Sequence, residues 1–285
     1  MDMLGRVNVQ SLNEVFPLLA LIKMGTAIMM VVLLSVLAEA VSPRFAGILS
    51  GYPLGAAISL FFIGYEISPQ FAAESALYTS VGLIGAQMFA YCYYRTSLLT
   101  NTLKPIPQVL CSSLGGILGY FVAVTLLRPL RVNAVLALVL PTFFIILFIY
   151  LFRSVRNTKI HKKTAIRPKV LLIRSVFAAL AVALITSTAH IVGPDWAGLF
   201  AAFPVTMLPF VVIVHFSHAP EHAHTVLKNF PKGLGSLVVY SLAIFAGYPI
   251  YGIYAGTAIG YGLATIYLLA TRLQLTMPWS KRREA

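Results

Sequence analysis

Two stretches of the chain carry one pattern: Ser42-Pro43-Arg44-Phe45-Ala46-Gly47-Ile48-Leu49-Ser50-Gly51-Tyr52-Pro53 and, 151 residues later, Gly193-Pro194-Asp195-Trp196-Ala197-Gly198-Leu199-Phe200-Ala201-Ala202-Phe203-Pro204. In each, the second proline falls inside an apolar run. A proline there removes a backbone donor and clashes with the carbonyl four residues earlier, that of Leu49 or Phe200. Within hydrocarbon, a freed carbonyl must be satisfied by protein, water or ligand. Gly51 and Gly55 flank Pro53, and Thr206 and Pro209 follow Pro204. Both helices are therefore expected to kink or break, with half-helix ends facing a cavity. The plainer alternative is a proline kink that only shapes packing.

Working outward, the register of 151 holds without a gap over three predicted spans. Pro17 meets Pro168, Lys23 meets Arg174, Ala46-Gly47 meets Ala197-Gly198, Pro69 meets Pro220, and Gly82-Leu83 meets Gly233-Leu234. Apolar composition alone matches Leu, Val and Ala often, but not four prolines, two glycines and a basic pair. The offset then shortens to 141, at which Gly115, Gly119 and Tyr120 meet Gly256, Gly260 and Tyr261. The spacing of small residues in these last helices is that of close helix packing, within or between protomers.

Composition sets the class. The 285 residues are 59% hydrophobic and only 10% charged, with a mean hydropathy of +0.87, far from the roughly 25% charged residues of a soluble domain. A membrane protein is expected, with the lipid bilayer as its first partner. No polar segment is long enough for a Rossmann unit, a P-loop or a zinc module, so no cofactor and no metal is expected. The net charge of +13 reads as a topology signal rather than as nucleic-acid binding, because Lys and Arg collect in cytoplasmic loops. Cys92 and Cys111, in or beside apolar runs, read as small buried hydrophobes rather than a disulfide.

Hydropathy places spans near residues 17–41, 45–67, 72–94, 106–127, 133–152, 169–192, 196–216, 225–246 and 249–273. The expected fold is all-α and polytopic. About nine transmembrane helices form two inverted four-helix repeats around one odd helix (4+1+4). Residues 1–132 form the first repeat, 133–167 the linking helix and a basic cytoplasmic loop, and 168–285 the second repeat. The loop holds Arg153, Arg156, Lys159, Lys162, Lys163 and Arg167 and no acid, which puts the N-terminus out and the C-terminus in and makes anionic lipids a partner at that loop. The Ala38-Glu39-Ala40 triplet resembles a cleavage site, but the run before it is too long for a signal peptide and the repeat argues that it is retained.

Inverted repeats of this kind are typical of secondary transporters, with the site near the midplane between them. The substrate-binding candidates are therefore Gly51, Tyr52, Pro53, Phe203, Pro204 and Thr206, with Lys23 and Arg174 as one cation per repeat to attract an anion; the bland reading of that pair is snorkelling to the interface. Glu39 and His190 occupy matched positions, and with His215 they are the proton-coupling candidates. His215, His218, His222 and His224 cluster with Glu221, but their spacing fits no tight ligand set and an Ala-Pro pair breaks it; an ordinary interfacial loop is the simpler expectation. Nothing supplies a nucleophile with its base or paired carboxylates at one depth, so no enzyme is expected.

The run Trp196-Ala197-Gly198-Leu199-Phe200-Ala201-Ala202-Phe203-Pro204, continued to His215-Phe216, resembles the small four-helix GlpM-type bacterial inner-membrane proteins. These similarly have an Ala-Gly-Leu stretch, a Phe-Pro pair and a later His in one helix. The resemblance covers the second half directly and the first half through the repeat, where Tyr52 replaces Phe203 and Gly64 replaces His215. It implies a duplicated four-helix unit and a multi-pass location in the bacterial inner (plasma) membrane, and it supplies no substrate.

The expected function is a secondary transporter or translocase of a small anion or an anionic lipid-linked molecule, working by alternating access, and a homodimer is allowed. The alternative is a non-transporting scaffold for envelope polysaccharide or lipid synthesis, which would have a solid core without a polar cavity.

Overall fold

The computed structural model describes residues 21–22, 25–26, 28–29, 43–158, 168–217 and 219–276, and among these the chain is helical with no strand. Most of the first expected span, with Lys23 and Glu39, lies outside the described residues, as do His218 and most of the basic loop. In chain order the helices are α1 (Pro43–Leu49), α2 (Leu54–Glu66), α3 (Pro69–Leu99), α4 (Pro105–Leu127), α5 (Ala134–Leu151), α6 (Pro168–Ala201), α7 (Met207–Ser217) and α8 (Pro220–Thr276).

Local chemistry sets the helix starts. Proline opens α1, α3, α4, α6 and α8, where its missing N–H has no intrahelical role and its φ is already helical. The Ser68 hydroxyl caps α3 by accepting from the Phe71 N–H at 3.1 Å, and Asn133 caps α5 by accepting from the Leu136 N–H at 2.8 Å.

Two glycines with positive φ turn the chain inside what are otherwise continuous helices. Gly252 has φ 73° and ψ 176° inside α8, angles open to glycine and costly for other residues. Residues 253–276 then run back along 220–251: the Tyr248 and Thr257 hydroxyls bond at 2.7 Å, the Tyr240 and Tyr261 rings lie 5.2 Å apart, and Gly235 faces Tyr267. The last two expected spans are thus one hairpin with its corner at Gly252, not at 247–248. Gly193 takes nearly the same angles, φ 84° and ψ 169°, and separates 168–192 from 194–201 in α6.

Among the described residues, five helical segments are long and apolar enough to cross a membrane: Ala46–Glu66, Pro105–Leu127, Ala134–Ser154, Ser175–Ala201 and Pro220–Thr271. α4 and α5 lie at the periphery and expose rows of large apolar side chains, among them Leu110, Leu114, Leu118 and Val122 on α4 and Val135, Val139, Phe143 and Ile146 on α5. Cys111 is exposed on α4, which corrects the expectation that both thiols are buried. At the centre, α3 packs against α2, α4, α5, α6 and α8. Its 31 residues extend about 46 Å at 1.5 Å per residue. It buries Ser75, Thr79, Ser80 and Gln87 because protein rather than an apolar solvent surrounds it.

The glycine spacings in α4 and the end of α8 serve packing within each half. Gly115 and Gly119 face Thr96 and Cys92 of α3, and Gly256 and Gly260 face Tyr248 and Tyr240 of the same hairpin.

Candidate functional site

Both apolar runs that carry the second proline are broken, and the two breaks share one hydrogen-bond pattern. After α1, the Tyr52 N–H donates to Leu49 O at 3.0 Å and the Leu54 N–H to Tyr52 O at 2.7 Å; after α6, the Phe203 N–H donates to Phe200 O at 2.9 Å and the Val205 N–H to Phe203 O at 2.7 Å. Pro53 has φ −74° and ψ 54°, the central residue of an inverse γ-turn. Proline suits that position because its ring holds φ near this value.

The carbonyls expected to be freed, those of Leu49 and Phe200, are therefore taken up by the turn itself. Neighbouring carbonyls are satisfied by side chains from the opposite half. Ser236 of α8 donates to Gly51 O at 3.3 Å, Thr79 of α3 donates to Gly198 O at 3.0 Å, and the buried Tyr120 hydroxyl of α4 donates to Leu199 O.

Packing around the breaks is likewise exchanged between halves. A Cβ on Gly47 would strike the Val226 carbonyl of α8, and one on Gly198 would strike the Ser75 carbonyl of α3. Gly51 lies against Gly233, where a Cβ would come within 2.6 Å of backbone, and Gly82 lies against Ala202 at 2.7 Å. The Tyr52 ring sits 6.0 Å from Tyr261, and Phe203 sits 4.9 Å from Tyr120. Only glycine allows main chain to meet main chain at these crossings.

Between the breaks lies a small, partly open cavity of about 30 Å³, walled on one side by Ser50, Tyr52 and Gly55 and on the other by 201–206, with Leu83, Ala86, Phe230 and Leu234 closing it. Its polar groups are hydroxyls, those of Ser50, Tyr52 and Thr206. Ser50 donates to Ala46 O at 2.9 Å. Tyr52 meets the Thr265 hydroxyl at 2.8 Å; Thr265 donates to Tyr261 O at 2.7 Å, so the phenol supplies the proton.

Of the residues singled out in the sequence, Tyr52, Phe203, Pro204 and Thr206 line this cavity, and Gly51 and Pro53 complete the turn beside it. Arg174 lies in the backbone of α6, and its side chain is outside the description. His190 is exposed and away from the cavity.

His215 and His224 are buried, at 3% and 8% exposure, rather than in an open interfacial loop. His215 Nδ1 is 3.0 Å from the Tyr93 hydroxyl, and His224 Nε2 is 2.9 Å from that of Ser97. The polar face of α8 also went unread. Thr225, Asn229 and Ser236 are buried, Asn229 binds Asn157 at 3.0 Å, Lys228 donates to Val155 O, and Lys232 donates to Asn229 Oδ1 at 3.0 Å. The signal was present as polar residues at 225, 229, 232 and 236, three and four apart on one helical face. At the other end of α4, Arg128 meets Asp195 at 3.2 Å and lies 5.1 Å over the Trp196 ring.

No known protein family, curated protein or solved structure matches the chain. The class that fold and site define is a helical chain with several helices long and apolar enough to span a membrane, holding a cavity between two broken helices.

Proposed function

We propose that the chain is a secondary transporter or translocase in the inner membrane, built as two inverted four-helix repeats around a linking helix. The substrate cavity is the space between the Pro53 and Pro204 breaks. One observation carries this reading: both breaks wall the same cavity. Broken helices at a shared cavity are how transporters hold irregular backbone within a membrane.

The inverted repeat is supported by exchanged contacts. Gly47 on Val226 and Gly198 on Ser75 are one contact at positions 151 apart, as are Gly51 on Gly233 and Ala202 on Gly82. Two equivalent halves related by a two-fold axis generate contacts in such pairs. Together with the reversal at Gly252, this favours nine crossings with the Lys and Arg excess on the cytoplasmic side. Lys23 and Arg174, one cation in each repeat of the sequence, favour a negatively charged substrate. The kinship with GlpM-type proteins belongs to this same proposal and rests on the residues quoted for it.

The test is access. With Cys92 and Cys111 replaced by serine, Thr206→Cys is exposed to a membrane-impermeant thiol reagent in right-side-out and inside-out vesicles. Alternating access labels it from both sides. Protection from both sides overturns transport and favours the scaffold.

A further inference from the structure

We propose that His215, held by Tyr93 and facing His224, is a proton-binding site of this transporter, so that its substrate moves together with protons. The inference rests on the transport reading for its purpose and on separate observations for its chemistry.

His215 lies near the end of α7, the helix that begins just after the Pro204 break, and α7 joins the cavity to the imidazole as one short rod. Among the described residues, the buried His215 ring makes one hydrogen bond, to the Tyr93 hydroxyl through Nδ1 at 3.0 Å, and its buried Nε2 has no hydrogen-bond partner. A neutral imidazole has one N–H and one lone pair, so either tautomer leaves Nε2 unsatisfied. If Nδ1 accepts from Tyr93, a buried N–H points at nothing. If Nδ1 donates to Tyr93, a buried lone pair does, and that lone pair is where a proton adds. Ser75, Gln87, Ser175, Tyr240 and Ser241 also carry a buried polar atom with no partner among the described residues, and His215 is the one imidazole in that set.

The surroundings define a route. From α3, Tyr93, Tyr94 and Ser97 face the pair, with the Tyr94 ring 4.9 Å from that of His224. From α4, Gln108 donates to Ser97 O at 3.0 Å. From α8 come exposed Glu221, whose charge reaches both imidazoles, and half-buried His222. Arg95 of α3 and Lys104 before α4 are exposed at the same end. The two rings are 6.4 Å apart, a separation at which two imidazolium charges repel strongly in a low dielectric.

The step balances simply. A proton from water at Glu221 passes by His224 and forms an N–H bond on His215, leaving hydroxide or a deprotonated buffer outside. The imidazolium forms in a buried site beside His224, so protonation favours parting of His215 from Tyr93 and release of the proton restores the contact. At the positions 151 residues earlier stand Gly64 and Ala73, so the site exists in one half only.

Proton binding is measured without a substrate. Purified full-length protein in liposomes on a solid-supported electrode receives a pH step across the range of about 5 to 8 in which histidine titrates. The expected result is a transient charge displacement that falls at least about fivefold in His215→Gln and persists in the control His190→Gln, an exposed histidine away from the cavity. An undiminished current in His215→Gln overturns the proposal, whatever Thr206→Cys reports. Should His215→Gln fail to fold, 13C-labelled wild type decides. The Tyr93 ring resonance, assigned by Tyr93→Phe, must shift with the same midpoint as one histidine, and a Tyr93 resonance indifferent to pH overturns the site. If Thr206→Cys is labelled from neither side while the His215-dependent current remains, transport fails and the proton site stands.

Discussion

The breaks at Pro53 and Pro204 are matched, with the same turn and the same exchanged packing, whereas the helices that leave them end differently. α2 runs to Gly64, packed tightly on Tyr248 and Ile253. α7 runs to His215, bonded to Tyr93 with one nitrogen left over. The two breaks share one backbone geometry, while the side chains at the ends of the helices that follow them differ in chemistry.

The largest effects are expected where main chain meets main chain. Gly198→Val and Gly47→Val each push a side chain into a carbonyl of the opposite half, at a cost of about 3 kcal/mol or more. Neither should yield monodisperse protein, as size-exclusion chromatography will show. If one is tolerated, the halves are not equivalent at their crossings.

Next comes Tyr120→Phe, which removes the buried phenol's bond to Leu199 O and leaves that carbonyl with the Ala202 N–H at 3.2 Å; it should cost about 1.5 kcal/mol in thermal unfolding. Tyr52→Phe, at the matched position of Phe203, removes a hydroxyl from a half-buried site and should cost about 1 kcal/mol or less. Equal losses would contradict the difference drawn between the two breaks.

Gly252→Ala meets no atom within 4 Å, so its cost is backbone strain alone, about 1–2 kcal/mol. Gly193→Ala should cost somewhat more, because the new Cβ also comes within 3.1 Å of Asp195. Smallest is Arg128→Ala. It removes a bridge whose arginine is 51% exposed, and the melting point should move by no more than about 1 kcal/mol implies.

How much of this was open to sequence reading differs by element. Pro53 and Pro204 were readable because a proline inside an apolar run has few outcomes, and a small cavity lies between the two breaks. That Leu49 and Phe200 carbonyls are absorbed by the turn was not readable, since an inverse γ-turn and a plain kink share one sequence. The hairpin corner was misplaced because Gly247 and Gly252 look alike in composition, and only the opposing helix decides which takes a positive φ. The burial of His215 and His224 was missed for a related reason. Histidines beside an Ala-Pro pair read as a loop, and it takes α3, more than a hundred residues earlier in the chain, to enclose them.

From the sequence alone came the all-helical class, the apolar helices, the positions of the breaks and the match at 151 residues, because hydrophobicity, proline and periodicity act over a few turns of chain. Which half supplies the partner of each glycine, which hydroxyl satisfies each carbonyl, and which imidazole nitrogen is left unbonded were decided by tertiary structure. Those contacts join residues up to about two hundred positions apart, and no local rule of propensity or spacing reaches across such a separation.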